Sequence, residues 1–222
     1  MSAETYTGIA CEYLADKAGE YEKKAEFIWD WKENKDLYFE AVIDPVITSD
    51  DSADEIDKIW QYDVTAYDFM KEAIDVHEIK LKYNADSVVF LFFKDPETSY
   101  DYLMGTYASA AKAENEMVSI LSDDMFCPAD IAHEMLHLFG APDLYCTSEE
   151  NSEAGITEEL VEYLREASYD DIMRIYDYTR HDDIDAKISE ITAYYIGWID
   201  SCTMADEWNL PKSEHMILKE AK

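Results

Sequence analysis

His133, Glu134 and His137 form an H-E-x-x-H run, followed three residues on by Gly140 and three after that by Asp143. On a helix the two histidines stand four positions apart, so their imidazoles leave one face about one turn from each other. That separation suits one Zn²⁺, with each Zn–N contact at ~2.0–2.1 Å. Glu134 is rotated by about 100° from His133. It therefore sits beside a metal rather than on it, where a general base for a metal-activated water is needed. Gly140 lets the chain leave the helix through a left-handed turn, and Asp143, after Pro142, can swing back as a third ligand. Three protein ligands leave a fourth position open, which is the pattern of a catalytic zinc and not of a structural one.

The surroundings favour a metal site over a chance match. The chain has five histidines, and two of them fall in this pattern. Although 31% of the residues are charged, Ile131, Ala132, Met135, Leu136, Leu138 and Phe139 are all uncharged. An exposed helix in so acidic a chain would carry Glu or Lys at those positions, so the segment reads as a buried helix.

At these residues the sequence resembles the metzincin zinc endopeptidases, whose signature is H-E-x-x-H-x-x-G-x-x-H followed by a methionine-containing turn. The match runs through Gly140, and Asp143 stands where most members carry a third histidine. This aspartate variant is similar to the small secreted bacterial proteases of the snapalysin type. Ser168-Tyr169-Asp170-Asp171-Ile172-Met173 supplies a candidate methionine turn, so the motif resemblance spans His133 to Met173. The resemblance implies an α+β fold: a small mixed twisted sheet with a long helix, an active-site helix and a C-terminal helix. It implies zinc as cofactor, a peptide or protein as substrate, and secretion as the setting. Met173 would pack beneath the metal without binding it. A tyrosine or histidine near the turn (Tyr176, Tyr178 or His181) would help hold the oxyanion. Some members place a tyrosine two residues after the methionine, and here that position is Ile175.

With 222 residues, 48% of them hydrophobic, the chain is long enough and apolar enough for a full core. No apolar run approaches the ~18 residues of a membrane span. Against 18 basic side chains stand 51 acidic ones, for a net charge of −33. Such a surface repels phosphates and anionic lipid, which disfavours nucleic acid and membranes as partners; the oligomeric state is left open by the sequence, with a monomer as the default expectation. Cys11, Cys127, Cys146 and Cys202 lack any C-x-x-C pairing, so two disulfides or free buried thiols are both open. Ile9-Ala10-Cys11-Glu12 does not match the zinc-blocking cysteine motif of metzincin pro-segments. Met1-Ser2-Ala3-Glu4 has neither the basic nor the apolar region of a signal peptide. A cytoplasmic chain and a leader replaced at expression are the two readings, and the resemblance favours the second.

The elements that must position these residues follow from periodicity. Residues 5–32 read as an amphipathic helix, and 1–35 as an N-terminal extension ahead of a catalytic domain over 36–222. Leu37–Ile47 reads as a strand interrupted at Asp44-Pro45. Ser52-Ala53-Asp54-Glu55 is a capping box that opens a helix running to Tyr83, with His77 on its inner stripe. Val88–Phe93 has the continuous apolar character of a strand covered on both faces. Residues 103–111 and Met117–Leu121 are two further candidate strands, either of which could pair with an extended substrate along a cleft rim. Pro128 suits the first turn of the active-site helix. Thr147–Gly155 reads as a loop, Thr157–Ala167 as a threonine-capped helix, and Asp183–Trp198 as a closing helix capped by Asp182.

Together the residues describe a zinc endopeptidase in which Glu134 shuttles the proton. Three alternatives remain at this level, one of them an intact site that serves another amide or a self-cleavage event. A later glutamate (Glu158, Glu162 or Glu190) could replace Asp143 as the third ligand, as in gluzincin-type peptidases. The scaffold could also bind metal yet serve only as a binding protein. The acidic clusters Asp123-Asp124, Asp170-Asp171 and Asp182-Asp183 with Asp185 offer oxygen ligands for Ca²⁺, though without EF-hand spacing.

Overall fold

The computed structural model describes residues 3–40, 68–70, 72–94, 105–106, 116–121, 127–174 and 183–212. Within them lie α1 (Ala3–Glu20), a 3₁₀ turn (Lys35–Leu37), α2 (Val76–Tyr83), β1 (Val89–Lys94), β2 (Gly105–Thr106) and β3 (Glu116–Leu121). Then come α3 (Pro128–Leu138), α4 (Glu149–Glu153), α5 (Glu158–Glu166), α6 (Glu190–Tyr195) and α7 (Thr203–Glu207). The chain divides into two compact units. One joins Met1–Phe27, Ser109–Lys112 and Cys127–Lys222; the other joins Ile28–Ala108 and Ala113–Phe126. The N-terminal helix falls in the same unit as the H-E-x-x-H segment.

In the first unit α1 packs against α3. Thr7, Ala10, Cys11, Leu14 and Ala18 are buried, a stripe at three- and four-residue spacing. The helix expected to reach residue 32 stops at Glu20. Tyr21 N and Lys23 N both donate back to the Ala18 carbonyl, at 3.1 and 2.9 Å, and Glu22 takes a left-handed φ of 56°. Tyr21 is thereby turned onto Trp198, with ring centroids 5.7 Å apart, and its hydroxyl donates to Ile188 O at 2.8 Å. Tertiary contacts, and not local propensity, set this helix end.

The closing helix is also shorter than its periodicity suggests, starting at Glu190 and not Asp183. The preceding residues use their backbone elsewhere: Lys187 O accepts from Ile172 N at 2.8 Å, and Ala186 O from the Tyr13 hydroxyl at 3.0 Å. Helical bonding would forfeit both. The expected cap Asp182 lies outside the described residues. In the 147–155 stretch expected as loop, Ser148 Oγ accepts from Asn151 N at 3.0 Å and caps the short α4. Thr157 accepts from Leu160 N at 3.3 Å at the start of α5. That helix buries Leu160 and Leu164 and exposes Glu158, Glu159 and Glu162. Each such fully buried aliphatic side chain stabilises the unit by ~1.5–3 kcal/mol.

In the second unit, three strands form a mixed sheet in the order β1-β3-β2. β1 runs parallel to β3, pairing Val89 with Glu116 and Lys94 with Leu121, and β2 is antiparallel, pairing Gly105 with Ser119. β3 is therefore flanked on both sides and is not a rim strand. Val88, Val89, Phe90 and Leu91 are half-buried, short of the two-sided cover expected of them. The long helix expected to end at Tyr83 is broken within its described part. Asp75 accepts from Glu78 N at 3.0 Å and starts α2 anew, leaving His77 exposed. Of the strand expected over Leu37–Ile47, Leu37 ends the 3₁₀ turn, 38–40 are irregular, and 41–47 lie outside the described residues. Ser52–Glu55 lie outside them as well. No described helix is long and apolar enough to cross a membrane.

Candidate metal centre

α3 is buried along most of its surface and open along one stripe. Pro128 occupies its first turn, and the Asp130 carboxylate accepts from Cys127 N at 2.6 Å. Ile131, Ala132, Met135, Leu136 and Leu138 are buried almost completely. Asp130, Glu134 and His137, spaced four and three apart, are only partly buried and mark the open stripe.

The helix ends by a Schellman turn. Ala141 N donates to Leu136 O at 3.1 Å and Gly140 N to His137 O at 2.9 Å, with Gly140 at φ 98°. This turn brings the Ala141 carbonyl under His137, whose Nδ1 donates to it at 2.8 Å. It also returns Asp143 to the helix, where Oδ1 lies 3.2 Å from His133 Nε2 and 3.4 Å from His137 Nε2. Gly140→Ala will therefore cost about 1–3 kcal/mol of stability, because a Cβ is strained at that φ. It will also weaken metal binding by moving the Ala141 and Asp143 supports. Urea unfolding and a metal-competition titration measure the two effects.

The second histidine is tied to the segment carrying Met173. His133 Nδ1 donates to the Ile172 carbonyl at 3.0 Å, and Leu144 N donates to the Met173 carbonyl at 2.8 Å. Met173 itself is fully buried. Because a carbonyl can only accept, each imidazole carries a proton on Nδ1, and its Nε2 is the atom turned toward Asp143.

Ligand atoms of His133, His137 and Asp143 all lie within 4.8 Å of one another, and this is the one such group among the described residues. Asp143 Oδ1 is buried and accepts no hydrogen bond, despite the two nearby imidazoles. Two imidazole Nε2 atoms and one carboxylate oxygen thus face one another across a short gap. A group of this kind could hold a divalent cation, which would engage all three atoms at once. Burial works against the Asp143 carboxylate, but the two imidazoles outweigh it and hold its pKa well below the usual range. In turn, burial lowers the pKa of His137 while the Asp143 carboxylate raises it, with a net rise.

Glu134 stands outside the convergent trio, half-buried. Burial raises its pKa, opposed by His133 and His137 and reinforced by Asp143. A carboxylate so placed is a stronger base than a solvated one. Tyr145 adds a phenol that motif reading did not single out. Its ring centroid is 6.2 Å from that of His133, and its side chain hydrogen-bonds to Asp143. Burial, then the Asp143 charge, push its pKa far up, so the hydroxyl keeps its proton. The signal was present in the alternation Asp143-x-Tyr145, since residues two apart on an extended stretch share a side. Cys146 Sγ lies 4.0 Å from Asp143 Oδ2.

Tyr176, Tyr178 and His181 lie outside the described residues, as does Ile175. Glu158, Glu162 and Glu190 are exposed and do not join the trio. Cys11, Cys127, Cys146 and Cys202 are all free thiols. Burial raises the Cys11 thiol pKa to about 12, helped by Glu12. Of the acidic clusters, Asp170 pairs with Lys187 at 2.8 Å while Asp171 is sealed inside, so the two present no shared oxygen face. Asp183 and Asp185 are exposed, and Asp123, Asp124 and Asp182 lie outside the described residues. No family model, curated protein or solved structure matches the chain.

Proposed function

We propose that this chain is a zinc-dependent endopeptidase of the metzincin type, with His133, His137 and Asp143 as ligands and Glu134 as general base. The observation that carries the reading is the convergence of two Nε2 atoms and an unsatisfied, buried carboxylate oxygen on one point. Zn²⁺ bound there supplies a Lewis acid that lowers the pKa of a water from 15.7 towards ~7. The protein's own part is positional and protonic. Glu134 takes the proton of the attacking water and delivers it to the leaving amine. Its raised pKa narrows the gap between the two transfers. Tyr145 keeps its proton and hydrogen-bonds to Asp143, steadying that carboxylate beside the site. The main-chain carbonyls of Ile172 and Ala141 keep both imidazoles in the tautomer a metal requires.

An open peptide or protein substrate, a secreted setting, and the α+β metzincin architecture belong to the same proposal. Metal analysis combined with digestion of a diverse peptide library tests it. One zinc per chain, with cleavage abolished by chelation and restored by zinc, is the expected result. Zinc binding without cleavage of any peptide would replace the peptidase with a metal-stabilised binding scaffold. Absence of stoichiometric metal would remove both.

A further inference from the structure

Asp171 is fully buried, yet its hydrogen-bond donors are neutral groups. Its Oδ1 accepts from Met173 N at 2.7 Å, its Oδ2 from Ser189 N at 2.8 Å, and the Thr192 hydroxyl stands 2.9 and 2.8 Å from the two oxygens. Burial pushes its pKa up while these donors pull it down, with a net rise. Burying a charge without a charged partner is costly, and an apolar side chain would fill the same space at no such cost. The position calls for a reason beyond packing.

The reason lies in one peptide plane. The N–H that Asp171 holds is that of Met173, and the carbonyl that His133 Nδ1 uses is that of Ile172. These are the two ends of a single trans peptide unit, which is rigid, so fixing the N–H fixes the direction of the C=O. A carboxylate on the N–H also polarises the unit, making its carbonyl a stronger acceptor. On the far side of the same turn, the Met173 carbonyl receives Leu144 N, next to Asp143. Ser189 and Thr192 anchor the carboxylate to the start of α6.

We propose that Asp171 is the positioning residue for His133. Its carboxylate aligns and polarises the Ile172–Met173 peptide, and that peptide holds the imidazole with Nε2 turned toward Asp143. The inference rests on the metal-centre reading above. It makes a claim about one histidine and not the other, because His137 is held by Ala141 through an independent bond.

The test compares the full chain with its Asp171→Asn variant. Zinc affinity is measured by competition with a chromophoric chelator, and histidine tautomers by ¹⁵N imidazole resonances of the metal-free proteins. The nearly isosteric amide cannot accept from all the present donors, so zinc affinity should fall about tenfold or more. His133 should lose its fixed Nδ1–H tautomer while His137 keeps its own. Wild-type affinity together with an unchanged His133 tautomer would overturn the proposal. So would equal disturbance of both histidines, which marks general loosening. If Asp171→Asn does not accumulate folded, Thr192→Val removes one donor and should show the same His133-selective change with a severalfold loss of affinity; no change overturns the proposal. A wild type that binds no zinc removes the metal-centre reading itself. A wild type that binds zinc beside an unaltered Asp171→Asn removes only the role of Asp171.

Discussion

Glu134→Ala will abolish detectable peptide hydrolysis while leaving zinc content and fold close to those of the parent chain. The separation of effects follows from where the side chain sits. Position 134 is turned by about 100° from His133, and Glu134 is not part of the trio whose ligand atoms converge. Removing it leaves the Schellman turn, the carbonyl of Ala141 and the carbonyl of Ile172 in place. What disappears is the half-buried carboxylate proposed as general base, and general acid–base catalysis of this kind supplies ~10²–10⁴-fold. At ~1.4 kcal/mol per decade, the barrier rises by about 3–5 kcal/mol. Rates on a peptide chosen from the library digest, set beside metal content of the same preparation, measure both halves. A variant that cleaves at the parent rate would end the proposed mechanism. A variant that loses its zinc would make Glu134 a support for the metal instead.

The grouping of His133, His137 and Asp143 was more legible than the ends of the helices. His133, His137, Gly140 and Asp143 are joined by local spacing, and the relevant distances are set within one helix and the turn that ends it. Such short-range geometry survives without knowledge of the rest of the chain. The helix ends at Glu20 and Glu190 were not legible, because Tyr21 and the carbonyls of Ala186, Lys187 and Ile188 are committed to partners more than a hundred residues away in sequence or across a turn. Periodicity continues through both places; tertiary hydrogen bonds override it. The short α4 hid behind acidic composition, although Ser148 three residues ahead of Asn151 was a cap signal in plain view. Asp171 illustrates a third kind of limit. In sequence it reads as half of an acidic pair suited to solvent or Ca²⁺. Only its burial against Met173 N, Ser189 N and Thr192 turns it into a strut for His133.

Asp143→Asn will eliminate the response to zinc without destabilising the metal-free protein. In the parent chain, zinc at about 100 times its Kd adds ~2.7 kcal/mol of stability, a rise of about 5–10 °C in midpoint for a chain of this size. The amide is a poor metal ligand, so that shift should collapse towards zero, and hydrolysis with it. The metal-free comparison is the more telling one. Asp143 Oδ1 stands 3.2 and 3.4 Å from two Nε2 atoms and accepts from neither. An amide nitrogen in that place can donate to one of them, a gain of about 0.5–1.5 kcal/mol for a hydrogen bond where there was none. The amide oxygen remains for Tyr145 and Cys146 on the other side. Metal-free Asp143→Asn should therefore unfold at the same urea concentration as the parent or a higher one, the usual sign that a residue is kept for function at the expense of stability. The opposing account is a buried ion pair, in which a protonated His137 is held by the carboxylate. Under that account, removing the negative charge strands a buried imidazolium and lowers metal-free stability by several kcal/mol. Urea midpoints of the two chelator-treated proteins at neutral pH decide between them. A marked loss in the variant would mean that the trio is a proton-bridged ion pair and not a metal centre.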